Sequence, residues 1–188
     1  MFELEPHYKW RKWYTAEEDQ NSPFFGRQYS EFEFKNVIYN TPIHPQWDEF
    51  GSLTLYAKIL FVNYDLGFAI IEFVGEWNDL IYNDIMYFYR NIIEGFIECG
   101  INKYILIGEN VHAFHADDDS YYQEWMEQME GGWIVGLGFL GQNMSEIQAA
   151  RINEYIDFEY NNEFYEWRTL QPNKLYAELD ELMSYRLN

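Results

Sequence analysis

Two short apolar runs, Phe68 to Val74 and Lys103 to Ile107, enclose a stretch whose apolar residues recur at helical spacing, and no other feature of the chain restricts its fold as much. Between Asp79 and Cys99, the residues Ile81, Ile85, Phe88, Ile92 and Phe96 follow one another at i+3 or i+4, the period of a helix lying on a sheet. Asn78 and Asp79 supply an N-cap signal, and Gly100 is placed to end the helix. Nearly continuous apolar runs are how strands covered on both faces read, so the three segments predict a βαβ unit. Its strands end in Gly75-Glu76-Trp77-Asn78-Asp79 and in an acidic, histidine-bearing loop, Gly108-Glu109-Asn110-Val111-His112-Ala113-Phe114-His115. Polar and aromatic residues therefore gather beyond the carboxyl ends of the strands.

The flanking sequence extends this unit. Leu53 to Asn63 and Phe68 to Gly75 form a hairpin through Tyr64-Asp65-Leu66-Gly67, where Gly67 can take positive φ. Downstream, Asp119 or Ser120 caps a helix running to about Glu130, and Gly131 and Gly132 stop it. Trp133 to Phe139 is the next strand, and Ser145-Glu146-Ile147-Gln148 reads as a capping box opening a third helix. Tyr155 to Tyr160 and Phe164 to Leu170 read as further strand or hairpin, and Pro172 to Arg186 as a closing helix. Before Leu53 the chain is polar and aromatic without a sustained period, apart from an edge strand expected within Ser30 to Tyr39. The expected architecture is α/β with a mixed sheet: an antiparallel hairpin feeding βαβαβα, a C-terminal helix and an aromatic N-terminal extension. One domain is expected over residues 1–188, with 1–50 an irregular wrap and 53–188 the core.

In element order, Leu53 to Arg186 resembles the STAS domain, the fold of anti-sigma-factor antagonists. That resemblance implies a regulatory interaction module, and in the antagonists a serine at the start of the second helix is phosphorylated; Ser120 stands in that place. The residues themselves read Ser120 as a helix cap, because Asp117, Asp118 and Asp119 would repel a phosphate there.

A net charge of −20 argues against nucleic acid and against anionic membranes, and favours basic proteins or divalent cations as partners. The only basic patch, Lys9, Arg11 and Lys12 interleaved with Trp10 and Trp13, is expected to pair with the chain's own carboxylates. Cys99 is the only cysteine, so an internal disulfide or a cysteine-based zinc cluster is excluded; it reads as a buried, inert thiol. The sequence from Met1 to Trp10 lacks the apolar core of a secretion signal, and no apolar run reaches membrane-spanning length, so a cytoplasmic protein is expected.

Glu76, Trp77, Asn78, Glu109, Asn110, His112 and His115, with Tyr121, Tyr122 and Trp125 as aromatic walls, are the expected binding edge. It would hold a protein partner or small ligand without catalysis, and a homodimer is compatible with it. Two alternatives stand beside this. His112, His115 and Asp118 could hold a divalent metal, which with Glu76 or Glu109 as general base would make a hydrolase. An acidic inhibitor or immunity-type protein covering a basic cleft is the other. Gly136-x-Gly138-x-x-Gly141 matches a dinucleotide-binding pattern, but it falls late in the chain and ahead of the capping box, so close packing against the glycines is expected instead. No G-x-S-x-G motif is present, so covalent catalysis is not indicated, and no catalytic residue or organic cofactor is assigned.

Overall fold

A computed structural model describes residues 4–186. Up to residue 54 the regular elements are a 3-10 turn, Lys9–Lys12, and a minimal hairpin of β1 (Val37–Ile38) with β2 (Thr41–Pro42). The edge strand expected within Ser30 to Tyr39 shrinks to two residues because Tyr39 and Asn40 take left-handed φ values of 50° and 60° and turn the chain back. Trp10, Phe24, Trp47 and Phe50 of this segment are buried, which accounts for its aromatic content.

β3 (Leu55–Asn63), β4 (Phe68–Asn78), β5 (Lys103–His115) and β6 (Trp133–Leu137) form one sheet in the order β3-β4-β5-β6. β3 and β4 are antiparallel across the Gly67 turn, where φ is 70°; β4, β5 and β6 are parallel. The fold is thus α/β with a mixed sheet, as the periodicity predicts. Ala57, Ile71, Phe73, Tyr104, Leu106 and Ile134 belong to a core shared with the crossover helices. Leu60, Ile70, Ile105, Ile107 and Val135 belong to a second core, with Trp10, Trp167 and the closing helix. Burial on both faces is the physical origin of the unbroken apolar runs. β5 does not stop at Ile107: it continues through the expected loop because Asn110, Val111, Ala113, Phe114 and His115 pair with β4 up to Asn78.

The crossover from β4 to β5 is not one helix. α1 (Asp79–Tyr82) ends at Asn83, which is left-handed at φ 54°; α2 (Asp84–Phe88) then runs through a π-helical turn, Tyr89–Ile93, into α3 (Glu94–Glu98). Ile85, Phe88, Ile92 and Phe96 face the core as their spacing predicts, whereas Ile81 does not. Gly100, with φ 86°, ends the crossover, and the Ile101 N–H returns to the Phe96 carbonyl.

Three further expectations change. α4 spans Ser120–Gln128, but α5 (Met144–Ala149) begins before Ser145, led in by a 3-10 turn, so the Ser145 capping box does not form. Tyr155 to Tyr160 and Phe164 to Leu170 are not strands; they contain one bridge, Val135 to Asp157, and a 3-10 turn, Trp167–Thr169. The Asn161 side chain serves instead as a local partner, bonding both the N–H and the carbonyl of Phe139. Gly136 lies against the Phe158 ring and Gly138 against the Glu109 side chain, where a Cβ would come within 2.3 Å, so close packing explains these two glycines, while Gly141 stands in open space. α6 (Pro172–Arg186) closes the chain over the second core, with Leu175, Leu179 and Met183 buried. No helix among the described residues is long and apolar enough to cross a membrane.

Candidate functional site

Because β4 and β5 are parallel, their carboxyl ends meet at one edge, and β4 leaves that edge through a polar lock. The Asn78 side chain accepts the Ile81 N–H at 2.9 Å and caps α1. Asp79, buried beneath it, accepts the Trp77 indole N–H at 2.9 Å and the Ile85 N–H at 2.8 Å on Oδ1, and the Tyr122 hydroxyl at 2.7 Å on Oδ2. Asp84, also buried, accepts the Asn78 N–H at 2.8 Å. Burial pushes the Asp79 carboxyl up to about 7, against the pull of its three donors. The Asp84 carboxyl is also raised by burial.

What this lock holds is apolar and faces solvent. Leu80, Ile81 and Tyr82 are 61%, 69% and 36% exposed, fixed on one side by the Asn78 cap and on the other by left-handed Asn83. Burying one side chain of this kind is worth about 1.5–3 kcal/mol, a stabilisation that these three exposed residues leave unmade within the chain. Beside the turn, Leu80, Ile81 and Tyr121 share a recess of about 170 Å³ with Asp79, Asp117 and Asp118. Asp118 accepts both the Ser120 N–H and the Ser120 hydroxyl, so it is Asp118, rather than Asp119 or Ser120, that engages the first turn of α4.

The sequence-derived candidates separate by depth. Trp77, Tyr122 and Trp125 lie in the core, where Trp77 and Tyr122 bond Asp79 and Trp125 packs on Phe88 and Tyr104, and Asn78 is the cap of the lock. Glu76 is half-buried at the rim and accepts the Tyr39 hydroxyl. Glu109 is tied to the second face, accepting the Trp167 indole N–H at 2.8 Å and pairing with Arg168 at 2.5 Å. Asn110 and His112 line a separate cleft beneath the β1–β2 hairpin, His115 is exposed at the end of β5, and Tyr121 borders the recess. Among the described residues no three or more His, Cys, Asp or Glu side chains converge as a metal-holding group, so His112, His115 and Asp118 are not brought together.

Leu80 and Tyr82 were absent from the sequence-derived edge, and Ile81 was assigned to the core. One signal could have found them: Asn83-Asp84 repeats the capping pair Asn78-Asp79, which marks a restart within the helical stretch.

The charges also differ from expectation. From Arg27 onward, every Lys and Arg lies within 4.0 Å of a carboxylate. Lys9, Arg11 and Lys12 are exposed and, among the described residues, have no carboxylate partner. The expected pairing of this patch fails because the 3-10 turn buries Trp10 and turns the three cations outward, leaving Lys12 over the Trp13 ring at 4.2 Å. With the other cations neutralised locally, the carboxyl-end edge keeps Glu76, Asp117 and Asp118 as carboxylates without a cationic partner among the described residues.

No protein-family model and no curated protein matches the chain.

Proposed function

We propose that the chain is a non-catalytic interaction module that docks the Leu80-Ile81-Tyr82 turn into an apolar recess of a basic protein partner. The observation that carries this reading is the turn itself: three exposed apolar side chains held rigidly by two buried carboxyl groups inside an acidic rim. Buried hydrogen bonds fix the shape before contact, which lowers the ordering cost of association. The net charge of −20 steers a basic partner toward the molecule and repels acidic competitors. This is how an inhibitor or immunity-type protein would cover a basic surface. The STAS-like element order accords with a regulatory role for the same edge, and the cytoplasm is the compartment proposed.

Photo-crosslinking tests the reading. A benzophenone side chain placed at Tyr82 should capture a basic protein through the turn, while the same group at exposed Tyr185 on α6 should not. Equal capture at both positions, or capture only at Tyr185, would place the interface elsewhere.

A further inference from the structure

We infer that the cleft beneath the β1–β2 hairpin is a binding site for a small neutral molecule with an apolar body and one hydrogen-bonding head. The cleft has a volume of about 350 Å³, at the lower end of the range for pockets that take small organic ligands. Its walls are Ile38, Pro42, Ile43 and Val74, with Asn110 and His112 on the β5 side. Val74 pairs with Asn110 across the parallel ladder, just past a register shift between Glu72 and Val74, so the floor and the polar wall face each other across adjacent paired strands. Among the described residues neither the Asn110 amide nor the His112 imidazole has a hydrogen-bond partner. Free polar groups set in an otherwise apolar wall are what orient a ligand.

The hairpin is built as a flap over this cleft. Each of its strands is two residues long, and its tip carries Tyr39 in a left-handed conformation that bulky residues rarely adopt. The Tyr39 hydroxyl donates to Glu76 on β4, and its ring stands 6.3 Å from that of His112. One hydrogen bond therefore ties the tip to the carboxyl end of the sheet. Strain of this kind clusters at ligand clamps. The ligand's charge follows from the surroundings: the Glu76 carboxylate at the latch and the negative field of the whole molecule disfavour anions. The apolar walls give a fixed cation no counter-charge within the cleft, so a neutral molecule fits best.

The test is fluorescence titration of the full chain with N-phenyl-naphthylamine, a neutral apolar probe, and with its anionic relative anilinonaphthalene sulfonate. Thr41→Trp, on an exposed strand, fills the cleft from the hairpin side with little risk to folding. Expected are saturable one-site binding of the neutral probe, a loss of about tenfold or more in Thr41→Trp at unchanged melting temperature, and a similar preference over the sulfonate. Ile81→Ser, which alters only the docking turn, should leave probe binding unchanged. Unchanged binding in Thr41→Trp, equal binding of the sulfonate, or loss of binding in Ile81→Ser would each overturn the assignment. Only the last outcome would implicate the docking turn, so the two proposals fail separately.

Discussion

The Tyr122 hydroxyl meets the Asp79 carboxylate at 2.7 Å inside the core, and this single bond ties α4 to the first turn of the β4–β5 crossover. Asp79 is fully engaged as an acceptor, so removing this donor leaves a buried oxygen with nothing to satisfy it. Tyr122→Phe should cost about 1–3 kcal/mol in denaturant unfolding with the fold intact. It should also speed hydrogen exchange at the Ile81 and Ile85 amides, which share the lock.

The same carboxyl gives stability a definite dependence on pH. Asp79 has an ordinary value of 3.8 and is raised to about 7 in the folded chain, chiefly by burial. Between those values the folded state holds a proton that the unfolded state has released, so stability falls as pH rises through the window and then levels off. Glu72, raised by burial from 4.5 to about 7, acts in the same direction. His7, lowered from 6.5 to about 4 by burial and by Arg168, opposes them, since stability gained from keeping it neutral rises over that range. Two groups outweigh one, and the melting temperature should be higher at about pH 5.5 than at about pH 7.5. Asp79→Asn keeps the shape of the lock without the ionisation and should flatten the slope.

The break at Asn83 separates two isoleucines that sequence periodicity treats alike. Ile81 is exposed and Ile85 is buried, four residues apart. Ile81→Ser should change unfolding free energy by no more than about 0.5 kcal/mol. Ile85→Ser should cost roughly 3 kcal/mol, from the cavity and from burying a hydroxyl. A continuous helix would make both costly.

Much of the fold was legible because it rests on repeating patterns. The apolar runs of β3 to β6 and the helical period of the closing segment come from burial on a face, and that signal is local. The break at Asn83 was hidden because Ile81 happens to fit the helical period; capping chemistry decides its position, and the buried carboxyl groups behind it are tertiary. β5 outran its apolar run because pairing with β4, not side-chain hydrophobicity, carries Asn110 to His115 along as strand. The segment after α5 misled for the opposite reason: its aromatics suit a strand, but Asn161 supplies the hydrogen bonds a strand partner would have made. The polar residues at the carboxyl ends of β4 and β5 were legible in the sequence, while Ile81 was read as core and Leu80 and Tyr82 gave no signal of their own.

Arg168 joins two carboxylates across the second face, meeting Glu109 at 2.5 Å and the buried Glu72 at 3.3 Å. Arg168→Leu strips both of their shared cation and should destabilise by about 3 kcal/mol above neutral pH. Below about 7, where Glu72 takes up a proton, less charge is left uncompensated, and the loss should shrink. Unfolding curves of wild type and variant on either side of neutrality measure the difference.

The docking claim is tested most directly by calorimetric titration of the crosslinked partner, once purified, against wild type and Ile81→Asp at low and high salt. The account predicts that Ile81→Asp binds about a hundredfold more weakly at an unchanged melting temperature, and that wild-type affinity falls as salt is added. An Ile81→Asp protein that binds as tightly as wild type would contradict it.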